Sequence, residues 1–453
     1  MSSNRWDRFL TGLFAALILT VMAGNSFAQD INIHGFVSQG YIQSSANQFL
    51  VQSTEGSYEF NEFAINATAN PVPKLRVGAQ FLGRDLGTVG NNIVAIDWAF
   101  GDYRWRDWLG VRVGKIKQAH GLYNTGRDVD LLRTSIFLPQ SVYYEEGREL
   151  MLSYSGIDLY GTRNIGPLGR LSYEAFVGTK SVSDASQGWF GIIDYKTASA
   201  IVDAIPGIVS AQSGGLLPAS AVSSTLTDLT DEKTRFHNIT GGSLIWNTPV
   251  SGLRLGVSSF MGEINEQYKA SIQTSYPTGD PSNPTMTTNQ TSDMRTDIHV
   301  ENVSVYSAEY KIKNLTLSTE LMNIGVSLDQ YLDGQQVSKD GYTHQEGYYG
   351  MADYKVNPLF SVAAAYSVFY NNIDDAKGDH RPTGWGTPDN WESWYAWQKD
   401  LSLSTRFNLN SNWTVKFEGH SMNGIAQLDP RVNPQNDLKE NWYVFAFKTT
   451  YHF

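Results

Sequence analysis

A few places in this chain bring together side chains capable of chemistry. Gly419-His420-Ser421-Met422-Asn423-Gly424 sets a base beside a hydroxyl and an amide, which are the ingredients of nucleophilic hydrolysis. His420 and Ser421 are adjacent, however, and adjacent side chains on a strand point to opposite faces, so they cannot share a proton. His344 and Glu346 stand two apart and could offer two metal ligands, but no third ligand is evident beside them. Gly83 to Gly90 lacks the Lys-Ser/Thr step and following helix of a phosphate cradle and reads as a turn. No metal, no cofactor and no enzymatic activity are therefore expected. A different group stands out: Arg127, Asp128, Asp130 and Arg133, both signs within seven residues. Fixed charges of this kind act strongly on ions when held at a narrow, water-poor aperture. The elements that would hold them there decide the reading.

Composition narrows those elements. The chain has 453 residues, no cysteine, 41 glycines, 13% aromatic and 17% charged residues, and a net charge of −11. Aromatic content this high excludes a disordered chain. No apolar run in the body is long enough for a membrane helix. An acidic balance without basic runs argues against nucleic acid as a partner. Residues 1–28 read as a secretory signal peptide, with Arg5 and Arg8, an apolar stretch from Leu10 to Met22, and small residues at Ser26-Phe27-Ala28. The remainder, 29–453, contains no linker and reads as one domain.

Its apolar period is two. Leu75, Val77, Ala79 and Phe81 alternate with Arg76, Gly78, Gln80 and Leu82; Val94, Ile96, Trp98 and Phe100 do the same, as do Trp413, Val415 and Phe417. Connections alternate in length. Short turns fall at 70–73, 103–108, 162–169, 248–252, 311–314, 357–358 and 408–412, and longer segments at 43–57, 85–91, 118–147, 180–235, 264–297, 326–345, 372–395 and 421–439. Seven turns and eight loops imply sixteen strands with both termini on the short-turn side. The expected fold is all-β: a closed antiparallel transmembrane β-barrel of about sixteen strands, with short periplasmic turns and long extracellular loops. Segment 264–297, rich in Thr, Asn, Ser and Pro, reads as a flexible exposed loop. The Ala-rich stretch in 180–235 reads as a short helix over the barrel mouth, as a latch onto a neighbouring subunit, or as a surface loop.

Aromatic placement agrees with this plan. Trp105, Trp108, Trp246 and Trp413 sit beside short turns, where an amphipathic ring suits the headgroup level. At the C-terminus Phe453, Tyr451, Phe447, Phe445 and Tyr443 share one face with Thr449, while His452, Thr450 and Lys448 take the other. An aromatic last strand ending in Phe resembles the signal read by the barrel-assembly machinery, with Tyr451 and Phe453 carrying it.

With these features the chain resembles the Gram-negative outer-membrane porins, nearest in plan to the phosphate-selective group. The likeness rests on Val111-Arg112-Val113-Gly114-Lys115-Ile116-Lys117, then Gly121-Leu122, Arg127-Asp128 and Leu132-Arg133-Thr134-Ser135. It implies a homotrimeric diffusion channel in the outer membrane, with 118–147 as an inward-folded constriction loop. The lysine clusters of the phosphate-selective members are missing, so phosphate selectivity does not carry over. On the loop, Val129, Leu132 and Ile136 recur at helical spacing and are expected to pack on the wall, turning Arg127, Asp128, Asp130 and Arg133 to the opening.

Strand parity assigns the lumen face. Basic residues there are Arg76, Arg84, Arg112, Arg254, Lys355, Arg406, Lys416 and Lys448; acidic ones are Glu62, Asp97, Glu149, Glu174, Glu320, Asp353, Asp400 and Glu418. The balance gives no strong preference for ion sign. Lys115 and Lys117 are expected at the rim, facing lipopolysaccharide phosphates, and Gly35, Ala64 and Ala67 on the outer wall, where small residues allow barrels to approach. The function so implied is passive passage of small hydrophilic solutes or ions. The alternatives are a surface receptor or adhesin whose barrel displays loops, and a hydrolase.

Overall fold

A computed structural model describes residues 31–453 apart from 88, 183–187, 281, 381–390 and 435–436. The expected signal peptide lies outside the described residues. Alternating sequence becomes strand throughout. The first eight strands are β1 (Asn32–Ser44), β2 (Asn61–Val72), β3 (Leu75–Asp85), β4 (Val94–Arg106), β5 (Leu109–Lys117), β6 (Ser153–Asn164), β7 (Arg170–Ser181) and β8 (Ser223–Asn247). The second eight are β9 (Leu253–Asp280), β10 (Asn283–Ile312), β11 (Leu315–Leu332), β12 (Gln335–Asn357), β13 (Phe360–Tyr370), β14 (Trp397–Asn408), β15 (Trp413–Gly424) and β16 (Asn441–His452). Two helices interrupt them, α1 (Arg148–Met151) and α2 (Gly188–Gln212).

Each strand pairs antiparallel with its sequence neighbours, and β1 closes on β16 to complete a sixteen-strand barrel. Closure runs from Phe36 opposite His452 to Ser44 opposite Val444. Gly35 and Phe453 then exchange two backbone hydrogen bonds of 3.0 Å. Closing the sheet leaves no edge of unpaired amides, the condition for a sheet to sit in lipid.

All seven expected short turns join strands at one end of the barrel. The outer surface carries an apolar belt that includes Ile33, Val37, Phe63, Phe81, Leu159, Val177, Leu403, Phe445 and Tyr451, all exposed. Leaving each such side chain in water costs about 1.5–3 kcal/mol, so the belt marks a lipid-facing wall. Trp246 Nε1 donates to the Leu168 carbonyl and Trp413 Nε1 to Thr449 Oγ1, both at 2.7 Å, so the indoles stand at the turn end with their polar edges engaged.

Several expectations need correction. Segment 264–297 is the paired upper part of β9 and β10, strands of 28 and 30 residues. Spanning takes about 10 residues, and at roughly 3.3 Å per residue this hairpin rises far beyond the membrane. Segment 326–345 is also a hairpin, turning at Asp333-Gly334 with φ of 47° and 81°. Of the readings offered for 180–235 the helix holds: α2 packs Ala198, Ile201 and Val202 on Tyr268, Ala270, Ile272 and Met294 of its own β9 and β10, and β8 begins at Ser223.

The registers of β4 slip by one at Gln80/Phe81. Such a bulge moves every following side chain to the other face. Trp98 and Phe100, expected toward lipid, therefore pair with Gln80 and Gly78 on the inner face. Ala64, expected on the outer wall, packs inside with Phe36 and Leu82. Glu149 lies exposed on α1 and not on a strand.

Candidate functional site

After β5 the chain enters the barrel. It has no sheet neighbour there, so the amides of residues 118–152 need other acceptors. Wall side chains supply them. Gly121 N donates to Ser258 Oγ at 2.9 Å on β9, and Leu122 N to Glu320 Oε1 at 2.8 Å on β11. Thr134 N donates to Asp353 on β12 at 3.3 Å, and Ile136 N and Phe137 N donate to Glu418 on β15 at 2.6 and 3.0 Å. Ser141 Oγ donates to the Tyr348 carbonyl at 3.0 Å. The ties reach four strands, β9, β11, β12 and β15, so the segment spans the lumen.

Asp130 is the central anchor. Its carboxylate lies 3.0 Å from Lys448, 3.5 Å from Lys416 and 3.2 Å from Arg133, and it accepts from Thr450 Oγ1 at 2.7 Å. Lys416 Nζ also donates to the carbonyls of Asp130 and Ser135, at 2.9 and 3.0 Å. Burial alone would raise the Asp130 carboxyl, yet Lys416, Lys448 and Arg133 hold it well below the ordinary carboxylate range. Asp128 is similarly desolvated and is held low by Arg148 and Lys117, both bonded to it. Arg127 reaches Glu145 at 2.8 Å, and Glu145 takes Arg84 from β3 at 2.9 Å. Burial would raise Glu145, but Arg127 and Arg84 keep its carboxyl far below its usual value.

The two faces of the loop are therefore the reverse of the sequence expectation. Arg127, Asp128, Asp130 and much of Arg133 are turned to the wall and to one another, while Val129 and Leu132 are 40% and 72% exposed. Ile136 is buried as expected, against Phe49 and Phe137 in an inner cluster. The reason is electrostatic: the wall opposite the loop carries Arg84, Arg406, Lys416 and Lys448, and buried charges demand partners more strongly than a three-residue apolar stripe demands burial. Arg406 also serves the loop, donating to the Leu131 carbonyl at 2.7 Å. Lys117, expected at the rim, bridges Asp97 at 2.9 Å and Asp128 inside.

The remaining lumen-face charges form a second network toward the turn end. Arg76 meets Asp102 at 3.2 Å, Arg112 meets Asp158 at 2.9 Å, and Tyr160 donates to Asp102 at 2.5 Å. Arg254 meets Glu309 at 2.9 Å, and Tyr123 of the loop donates to the same carboxylate at 2.6 Å. Arg76, Arg112 and Arg254 keep partial solvent access; Asp97 is buried beneath Lys117.

His420 is enclosed by Asp400 and Glu418, each at 3.0 Å, while Ser421 is exposed on the opposite face of β15. A Ser–His pair is thereby ruled out. Among the described residues no group of His, Asp and Glu is arranged to hold a metal.

Residues 118–152 and α2 also pack an apolar core inside the barrel. Leu138, Val142, Tyr143, Leu150, Met151, Phe190 and Ile193 lie against Phe236, Phe260, Val303, Met322 and Tyr349 of the wall. His120 sits in this core, and burial pulls its pKa down to about 4, so it is neutral. Sequence reasoning missed Glu145, Arg148, Tyr143 and Glu320 as loop anchors. The only local signal was a cluster of four charges at 145–149, since a lone glutamate on a strand reveals nothing of what crosses beneath it.

No family model and no curated protein matches the sequence. Solved structures resemble the fold. An outer-membrane-expressed OmpT of Vibrio cholerae aligns at 9% identity and a TM-score of 0.49, covering 95% of this chain and 99% of its own. An anion-selective porin from Comamonas acidovorans aligns at 10% identity and 0.49, covering 94% and 100%. The outer membrane channel DcaP of Acinetobacter baumannii aligns at 9% and 0.47, covering 95% and 99%.

Proposed function

We propose that the chain is a passive channel of the bacterial outer membrane, exported by its signal peptide and assembled through the terminal Tyr451–Phe453 strand. Its cargo is small hydrophilic solutes or ions, and residues 118–152 set its narrowest point. One observation carries the reading: a closed barrel, apolar outside and charged within, crossed by a loop tied to several strands. Arg76, Arg112 and Arg254, partly open to solvent, are the wall charges that a passing ion meets. Arg127, Asp128, Asp130 and Arg133 act on the constriction by fixing its position. The plan is nearest to the phosphate-selective porins without their lysine clusters. A homotrimer fits the small outward residues Gly35 and Ala67, and lipid and lipopolysaccharide are its surroundings.

The second reading is a surface receptor whose barrel displays the tall β9–β10 hairpin. The apolar core across the lumen favours it, because a filled barrel conducts poorly. Single-channel recording in a planar bilayer, with salt gradients of different ions, tests both. Stable unit conductance upholds the channel; a correctly assembled barrel that never conducts overturns it and leaves the receptor.

A further inference from the structure

Above the membrane belt the wall reverses its polarity. On β11, Met322, Ile324, Val326 and Leu328 are buried inside while the residues between them include Asn323 and Ser327, turned outward. On β10, Ile298, Val300, Val303 and Val305 do the same, a register shift between Val300 and Asn302 keeping both halves on one face. A water-filled mouth would favour polar residues here. Apolar ones facing a lumen need a cover, and residues 118–152 with α2, the plug of this barrel, supply only part of it.

Between wall and plug lies a cavity of about 620 Å³, within the range of small-molecule sites. Ile298, Val300, Ile324 and Val326 line one side and Trp189 of α2 the other. Lys196, about two helical turns beyond Trp189, lines the same space and has no hydrogen-bond or ion-pair partner among the described residues. Burial lowers its pKa, while Asp429 and Glu146 raise it from beyond salt-bridge distance. Asp429 is held by Arg431 at 2.7 Å. Burial, with Asp429 alongside, pushes the Glu146 pKa up to about 8 although the hydrogen bond it accepts from Tyr144 at 2.5 Å works against that rise, so it is largely protonated at neutral pH. Asp374 and Asp375 also line the cavity; Asp374 is open to water, and Asp375 accepts from the amides of Asp379 and His380 at 3.1 and 3.0 Å.

We propose that this outer vestibule binds an amphipathic monocarboxylate, its chain on the Ile298–Val326 wall and its carboxylate on Lys196 Nζ. The inference deepens the channel reading and rests on it for the direction of passage, but the binding event itself does not require conduction. It also narrows the solute class: a molecule entering this barrel first meets an apolar pocket with one cation, which selects for acids with a hydrocarbon or aromatic body over sugars or inorganic ions.

The test uses the full barrel in lipid nanodiscs, titrated calorimetrically with octanoate, octanol and octylammonium, with protein-free nanodiscs subtracted. Saturable octanoate binding is expected, at least about tenfold tighter than octanol, as a charge-assisted hydrogen bond implies. Lys196→Gln should remove that preference and Lys196→Arg should keep it. Ile324→Asn should weaken octanoate and octanol alike; its assembly is checked by heat-modifiable migration, and Lys196 is a partly exposed helix residue whose substitution leaves the barrel intact. No saturable octanoate binding, an octanoate preference that survives Lys196→Gln, or a preference for octylammonium would each overturn the proposal. Conductance of the same preparations separates the two readings. Conduction without octanoate binding sinks only this site, and binding without conduction sinks only the channel.

Discussion

Asp130→Ala should release the loop from the wall. In the native barrel that carboxylate, 1% exposed, neutralises Lys416 and Lys448 and receives Thr450 and Arg133. Lys448 retains Glu62 at 2.5 Å, but Lys416 is left with two carbonyls and no counter-charge. Removing one partner of a buried ion pair costs about 3–5 kcal/mol, chiefly the penalty of the stranded charge. At 1.4 kcal/mol per tenfold, that shifts the docked–undocked balance of the loop by roughly a hundredfold to a few thousandfold. Lys416 lies on the barrel wall, so pairing the change with Lys416→Met removes the stranded ammonium and should recover most of the loss. Hydrogen exchange of amides 118–152, together with unit conductance in planar bilayers, reads both outcomes. The single variant should exchange faster across the loop and open to a larger conductance, and the double variant should return toward wild type. Wild-type exchange and conductance in an assembled Asp130→Ala barrel would show that the charge lattice does not hold the loop.

Deleting Phe453, or replacing Tyr451 and Phe453 by Asp, removes the pairing that closes β16 on β1 and should abolish heat-modifiable barrel; normal membrane levels would contradict the closure argument. Leu132→Asp adds a charge on the exposed face of the loop and should move the reversal potential toward cations without loss of assembly, whereas an unchanged potential would place Leu132 away from the ion path. Docking of α2 should weaken with rising pH. Burial, with Glu232 adding repulsion, lifts Asp194 from 3.8 to about 7, and burial beside Asp429 lifts Glu146 from 4.5 to about 8. Raised carboxyl pKa values favour the docked state fully below about pH 4, and the benefit is lost as pH climbs through 7–8. Intrinsic-rate-corrected exchange of Gly188–Gln212 should therefore be slower at pH 5 than at pH 8.5, and the opposite order would refute the assignment.

Much of this architecture is a local property of the chain. The period of two, the seven short turns, the aromatic last strand and the sixteen-strand count all follow from side-chain alternation and turn chemistry acting over a few residues. Asp333-Gly334 belonged to the same class of signal, and its type of turn marks the β11–β12 hairpin that alternating length alone assigned to a loop. The Thr- and Ser-rich flanks of the β9–β10 hairpin were less legible, because a polar strand outside lipid resembles a loop in composition and gains its order from its neighbours. Parity fails where a single inserted residue intervenes: the slip at Asp97 turned Trp98 and Phe100 inward, and no composition rule announces it. The same limit applies to Arg127, Asp128, Asp130 and Arg133. Their membership of one inward loop could be read from spacing and resemblance. Which way they face depended on Arg84, Lys416 and Lys448, residues distant in the chain that only the closed barrel brings opposite them, and a buried charge takes the partner the fold provides.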